Sequence, residues 1–218
     1  MSNTKKFAVV LSGCGNFDGA EIHEATLTLL AIKKLGADYV IFAPDINQHH
    51  VINHITGKEM NEARNVLVES ARIARGIIKP LSEFDAKYFD GLIFPGGFGA
   101  AKNLSDYAFK GSSIKVLPEV EKVIKEMAYA NKPIGALCIA PTLLAKVLGN
   151  ISITIGQDEN TANDLQKMGA THIKTNKCEV AVDQKNKIIT TPCYMLDSSI
   201  VDIAEGAENV VKEMMKLI

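Results

Sequence analysis

The chain has 218 residues, 47% of them hydrophobic and 22% charged, with a formal net charge of -1. This is ordinary globular usage, long enough for an α/β domain with a sizeable core, and its charge gives no electrostatic basis for binding nucleic acid or an anionic membrane. The Lys5-Lys6 pair precedes only the short apolar run Phe7 to Leu11, too short for a signal-peptide core or a membrane span, so a cytoplasmic protein is expected.

The first strand is predicted over Lys6 to Leu11, followed by the turn Ser12-Gly13-Cys14-Gly15. A helix follows from about Glu21 to Leu35, with Ile22, Ala25, Leu29 and Ile32 at helical spacing and Gly36 as a stop. Tyr39 to Phe42 reads as the second strand, closed by Pro44. The polar, histidine-bearing segment Asp45 to Lys58 then reads either as a flap over the sheet edge or as a surface excursion. A helix is expected over Asn61 to Arg75, and an apolar strand over Asp90 to Phe94 that ends in Pro95-Gly96-Gly97-Phe98-Gly99. Glu119 to Ala130 reads as helix and leads to the short strand Pro133 to Leu137. Cys138-Ile139-Ala140-Pro141 then turns into a helix reaching Leu148. Beyond lie a strand at Ile151 to Ile155 and a helix near Asn160 to Met168. A hairpin of Glu179 to Asp183 with Ile188 to Thr191 and a last helix over Ser198 to Lys216 complete the chain.

Strands alternating with helices imply βαβ units and a mostly parallel sheet covered on both faces. No Pro-, Gly- or Ser-rich linker and no internal repeat interrupts the pattern, so residues 1–218 read as one domain.

The chemistry centres on Cys138. A strand that ends on a cysteine and turns at once into a helix lifts the side chain above the sheet edge. The helix N-terminus favours thiolate over thiol. The competing reading is a buried cysteine acting as a small hydrophobe. The loops bearing Cys14, Gly96-Gly97 and Cys138 should meet at the carboxyl edge of the sheet, where open α/β folds bind ligands. Backbone N–H groups at Gly96, Gly97 and Ile139 can then serve an oxyanion. Glu24, one turn into the first helix, can point at the sulfur, where a protonated carboxyl would lower the thiol's pKa and a carboxylate would move a proton.

Several alternatives fit less well. Gly13-x-Gly15-x-x-x-Gly19 is one residue too long for a dinucleotide fingerprint, and no Gly-Lys-Ser/Thr phosphate loop occurs, so no cofactor is expected. His49, His50 and His54 lack a convincing set of further ligands, so no metal is expected. The four cysteines, Cys14, Cys138, Cys178 and Cys193, show no C-x-x-C spacing.

Taken together, Leu11-Ser-Gly-Cys-Gly, Glu21-Ile-His-Glu24, Val51 to Gly57, Arg64-Asn-Val-Leu, Pro95 to Asn103 and Leu137-Cys-Ile-Ala-Pro141 closely resemble the ElbB glyoxalases. These are also called enhancing lycopene biosynthesis proteins and belong to the PfpI-like superfamily, akin to class I glutamine amidotransferases. The resemblance implies an α/β, flavodoxin-like three-layer sandwich, a homodimer, a nucleophile at Cys138 and a catalytic glutamate at Glu24. It also implies cofactor-free, low-turnover conversion of a small aldehyde, glyoxal, to glycolate through a cysteine hemithioacetal. Cys14 and Asn103, both inside matching motifs, are accessory candidates. The superfamily's peptidases carry a histidine after the cysteine, where this chain has Ile139, and its amidotransferases carry a downstream His-x-Glu, which is missing here. Both differences argue against proteolysis and ammonia transfer. The alternative is a non-catalytic redox-sensing or partner-binding protein, with Cys138 passing through sulfenic acid and Cys14 as resolving thiol. An accessory role in isoprenoid biosynthesis is implied by the family name alone.

Overall fold

Apolar side chains alternate along the strands, and that alternation fixes both faces of the sheet. Phe7, Val9, Ile93 and Ile189 point to one face. Ala8, Val10, Leu92, Phe94, Ile134 and Ile188 point to the other. The structure, a computed structural model, describes residues 4–218, so the first three residues of the expected domain lie outside it.

The elements in chain order are β1 (Lys6–Val10), α1 (Ile22–Lys34), β2 (Asp38–Ala43), β3 (Val51–Asn53), β4 (Lys58–Met60), α2 (Val66–Ile73), β5 (Lys79–Pro80) and β6 (Gly91–Phe94). They continue with α3 (Phe98–Lys102), α4 (Tyr107–Lys110), α5 (Pro118–Tyr129), β7 (Ile134–Leu137), α6 (Pro141–Leu148), β8 (Ser152–Ile153) and α7 (Glu159–Lys167). The chain closes with β9 (Thr171–His172), β10 (Ala181–Asp183), β11 (Ile188–Thr191) and α8 (Ile200–Leu217). Seven strands form the central sheet in the order β10-β11-β7-β6-β1-β2-β5. All its pairings are parallel except β10 with β11. Helices α1 and α8 cover one face through Leu29, Ile32, Val210 and Met214. Helices α5 and α6 cover the other through Val120, Ile124, Met127, Leu143 and Leu144. This is the flavodoxin-like three-layer sandwich.

Register brings the site loops together. Val9 lies opposite Ile93, Phe94 opposite Ala136, and Leu137 opposite Thr191. The carboxyl ends of β1, β6, β7 and β11 therefore line up at one edge. Gly135 is needed within β7, because a Cβ there would stand 2.7 Å from the Met214 sulfur of α8.

Three sequence expectations are revised. The helix expected from Asn61 begins at Val66, because the Asn65 side chain accepts the Val68 N–H at 3.0 Å and caps it there. The strand expected over Ile151 to Ile155 shrinks to β8, which pairs with β9 in a separate two-stranded sheet. The Ser152 and Thr154 N–H groups go instead to the side chains of Asp183 and Thr190, each at 2.8 Å. The short α3 and α4 and the edge strand β5 escape a periodicity reading because each is only two to five residues long. The Asp45 to Lys58 segment belongs to a flap. Its β3–β4 hairpin is held against the β1–α1 loop by the Ile52 N–H on Asp18 Oδ2 at 2.7 Å.

Candidate active site

Cys138 follows β7 directly. Its N–H extends the ladder to the Thr191 carbonyl at 2.9 Å, and its own φ is +59°. A left-handed conformation at a non-glycine residue costs about 1–3 kcal/mol and marks a constrained position. The chain then closes a tight turn, Ala140 N–H to Leu137 carbonyl at 3.0 Å, and enters α6 at Pro141, where a missing N–H costs nothing. Cys138 is only 7% exposed, yet it lines the floor of an open cavity of about 750 Å³.

Glu24 is fully buried. Glu21 caps α1 by accepting the Glu24 N–H at 2.7 Å. In a capping box the Glu24 side chain would return to the Glu21 backbone. Here the Glu21 N–H is taken by the Gly96 carbonyl at 2.9 Å, and the Glu24 carboxyl turns inward. It accepts the Gly96 N–H at 2.9 Å and the Tyr194 N–H at 3.4 Å, and it hydrogen bonds Cys138. Burial, and then the neighbouring Glu21 charge, push its carboxyl up to about 8. At neutral pH it therefore keeps its proton and can donate to the sulfur.

Burial also pushes the Cys138 thiol up, and an ionised Glu24 would push it further. Opposing this, the N–H groups of Gly97 and Ile139 point at the sulfur and favour the thiolate. With Glu24 protonated, the repulsion disappears and a third donor takes its place. Gly96 and Gly97 are required by close approach. A Cβ on Gly96 would lie 2.5 Å from that of Cys138, and one on Gly97, whose φ is +92°, would lie 2.3 Å from the Glu21 nitrogen. Because the Gly96 N–H is committed to Glu24, only Gly97 and Ile139 present donors at the sulfur.

The accessory candidates hold loops. Asn103 donates to the Ser12 and Asp18 carbonyls at 2.9 Å each and accepts the His49 N–H at 2.9 Å, so it ties the β1–α1 loop to the flap. Cys14 is half-buried within the β1–α1 loop and is not part of the cavity lining. Burial, and then Glu69, raise its pKa. Cys193 instead shares the buried cluster that contains Cys138. The histidines of the flap have structural contacts. His54 accepts the Phe17 N–H at 3.1 Å, and His50 accepts from Lys102 at 3.0 Å. Among the described residues there is no group of three or more His, Cys, Asp or Glu placed to hold a metal, and no helix is long and apolar enough to cross a membrane.

Sequence reasoning missed most of the cavity wall. His23 points away from Glu24, as adjacent helix positions must, and its Nδ1 meets the Tyr194 hydroxyl at 2.8 Å at the rim. Tyr194 follows β11, so the strand-end rule that located Cys138 also applies to it. Phe98 and Tyr107 come from α3 and α4, which the sequence pattern did not reveal.

A model of the DJ-1/PfpI family matches residues 16–194. The human glutamine amidotransferase-like class 1 domain-containing protein 3, a mitochondrial protein, is 47% identical over 97% of this chain and 83% of its own length. The rat ES1 protein homolog, also mitochondrial, is 47% identical over 97% of this chain and 84% of its own length. The crystal structure of an isoprenoid biosynthesis protein with an amidotransferase-like domain from Ehrlichia chaffeensis superposes with a TM-score of 0.93. It is 35% identical and covers 98% of this chain and 99% of that one. These findings correct two expectations. The resemblance to ElbB glyoxalases was drawn too narrowly, since the 47% identical relatives are a glutamine amidotransferase-like class 1 domain-containing protein and an ES1 protein homolog. The cytoplasmic expectation conflicts with those relatives, which are mitochondrial. It rested on the lack of a secretory or membrane-spanning run, which does not distinguish cytosol from organelle. Elbow, sheet order and family match agree, and the chain belongs to the DJ-1/PfpI family.

Proposed function

We propose that the chain is a single-domain, redox-responsive thiol protein that works through the state of Cys138 and the partners that read it. The observation that carries this reading is the fully buried Glu24 carboxyl held between the Gly96 N–H and the Cys138 sulfur. It is a proton donor fixed at a thiol whose next residue, Ile139, is no base. In the step envisaged, the thiolate attacks a peroxide oxygen, an S–O bond forms and the O–O bond breaks. The sulfur is oxidised to sulfenic acid, the departing hydroxide leaves as water with the Glu24 proton, and the Glu24 carboxylate so formed can take the sulfenic proton to leave sulfenate. Donors from Gly97 and Ile139 that favour thiolate also suit sulfenate. Substoichiometric hydrogen peroxide followed by peptide mass mapping tests this. Cys138 should gain oxygen first, before Cys14, Cys178 and Cys193. Oxidation elsewhere with Cys138 unmodified would set the reading aside. The description of the Ehrlichia relative favours an accessory place in isoprenoid biosynthesis.

A second reading follows from the placement of the Glu24 carboxyl against the Cys138 sulfur, where burial pushes it up to about 8. Such a group can both take and return a proton near neutrality. The Cys138 thiolate would add to one carbonyl carbon of glyoxal, and the proton on that carbon would move through Glu24 to its neighbour. Water would then cleave the resulting thioester to glycolate and regenerate the thiol. Slow glycolate formation, abolished in Cys138→Ser, is the expected result. Production no faster than with the variant would exclude it.

A further inference from the structure

Among the residues lining the 750 Å³ cavity are the carboxylates Glu21 and Asp158, and no lysine or arginine. Glu21 is the deeper of the two and nine-tenths buried. One of its oxygens accepts the Glu24 N–H, and the other has no hydrogen-bond partner among the described residues. Asp158 caps α7 at the exposed mouth, and behind it Asp164 accepts the Tyr107 hydroxyl at 3.2 Å. The same negative surroundings and, first of all, burial push the Tyr107 phenol up to about 12. The Lys102 ammonium sits 4.7 Å from the Phe98 ring centroid, but it is fastened to the Phe17 carbonyl and to His50 and is not part of the cavity lining. The rest of the wall is mostly apolar and aromatic, with Phe98, Tyr107 and Tyr194 presenting rings, and Asn16 and the His23 imidazole add polar groups.

A pocket of this volume encloses a molecule of many heavy atoms, well beyond a two-carbon dialdehyde. Carboxylates in a low-dielectric cleft concentrate cations and exclude anions, and aromatic faces hold ammonium groups. We propose that the cavity above Cys138 takes a small organic cation, an amine or quaternary ammonium with an apolar body, and turns anions away from the sulfur. Glu21 receives the charged end through its unpartnered oxygen, and the rings enclose the apolar part. A phosphorylated or carboxylated ligand would place its charge against Glu21 and finds no lysine or arginine in the wall to pair with, the one basic side chain there, His23, being engaged with the Tyr194 hydroxyl at the rim.

The proposal rests on Cys138 being the reactive group, and the test separates the two claims. Three methanethiosulfonates, bearing methyl, trimethylammonium-ethyl and sulfonatoethyl groups, are compared at low ionic strength. In each, the thiolate forms a disulfide with the sulfenyl sulfur and expels methanesulfinate. Modification of Cys138 is followed by peptide mass mapping and normalised to a free thiol. Reaction with the neutral reagent reports on the cysteine alone. The expected outcome is a cation-to-anion rate ratio of about tenfold or more. It should shrink several-fold in Glu21→Gln combined with Asp158→Asn, and again in high salt. Equal rates, a faster anion or a ratio unchanged in the double variant would overturn the proposal. Binding to Cys138→Ser needs no reactive sulfur. Benzyltrimethylammonium should bind at least tenfold more tightly than benzenesulfonate, and equal affinity would overturn the proposal even if the neutral reagent fails to react.

Discussion

Replacing Glu24 by glutamine is expected to flatten the pH dependence of stability between about pH 4.5 and pH 8. Burial, and then Glu21, raise the carboxyl from 4.5 to about 8. Between those values the folded protein holds a proton that the unfolded chain has released, so stability falls as pH rises. The contribution is fully present below pH 4.5 and is lost as pH climbs through 8. The shift corresponds to about 5 kcal/mol across the window. Glutamine cannot ionise, yet it keeps an oxygen for the Gly96 N–H. The variant should therefore match the wild type near pH 5 and exceed it near pH 8.5. Urea unfolding of both proteins at the two pH values decides this. Parallel losses in the two proteins would show that Glu24 is already ionised in the fold.

Truncating Glu24 to alanine is expected to slow alkylation of Cys138 at pH 7 by roughly ten- to a hundredfold. A hydrogen bond donated to an ionised partner is worth about 1.5–3 kcal/mol, and here it stabilises the thiolate. Glutamine retains an N–H donor and should lose less. The wild-type rate should also carry an inflection near pH 8, where Glu24 gives up its proton, and both variants should lack it. The pair titrates as a unit, so the inflection belongs to the couple rather than to either residue. Iodoacetamide kinetics with mass mapping provide the measurement. An alanine variant with wild-type rate and profile would uncouple the two groups and remove the basis for a proton donor at the sulfur.

The strands were legible because burial on both faces leaves a local record. Lys6–Val10, Gly91–Phe94 and Ile134–Leu137 are short apolar runs ended by glycine- or proline-rich turns. The β10–β11 hairpin was legible from Gln184-Lys185-Asn186-Lys187 between two β-like runs. Boundaries failed where side chains compete with the ladder. Asn65 postpones α2, and Asp183 and Thr190 draw N–H groups away from β8. Asp183 and Thr190 lie 31 and 36 residues from the N–H groups they hold, where no local window reaches.

By itself, the sequence determined the alternating layers, the cysteine at the end of an apolar strand and the glycine pair after a second strand. Each follows from a periodicity or a turn preference within a few residues. Tertiary structure alone decided that the Glu24 carboxyl leaves its own helix terminus for Gly96 and Cys138, because the Gly96 carbonyl takes the backbone N–H it would otherwise cap. It also decided which side chains meet in the cavity wall. Glu21, Phe98, Tyr107, Asp158 and Tyr194 come from separate segments and meet only once four parallel strands align their carboxyl ends. Electrostatic character is a property of charges brought close together, and sequence spacing does not encode that distance.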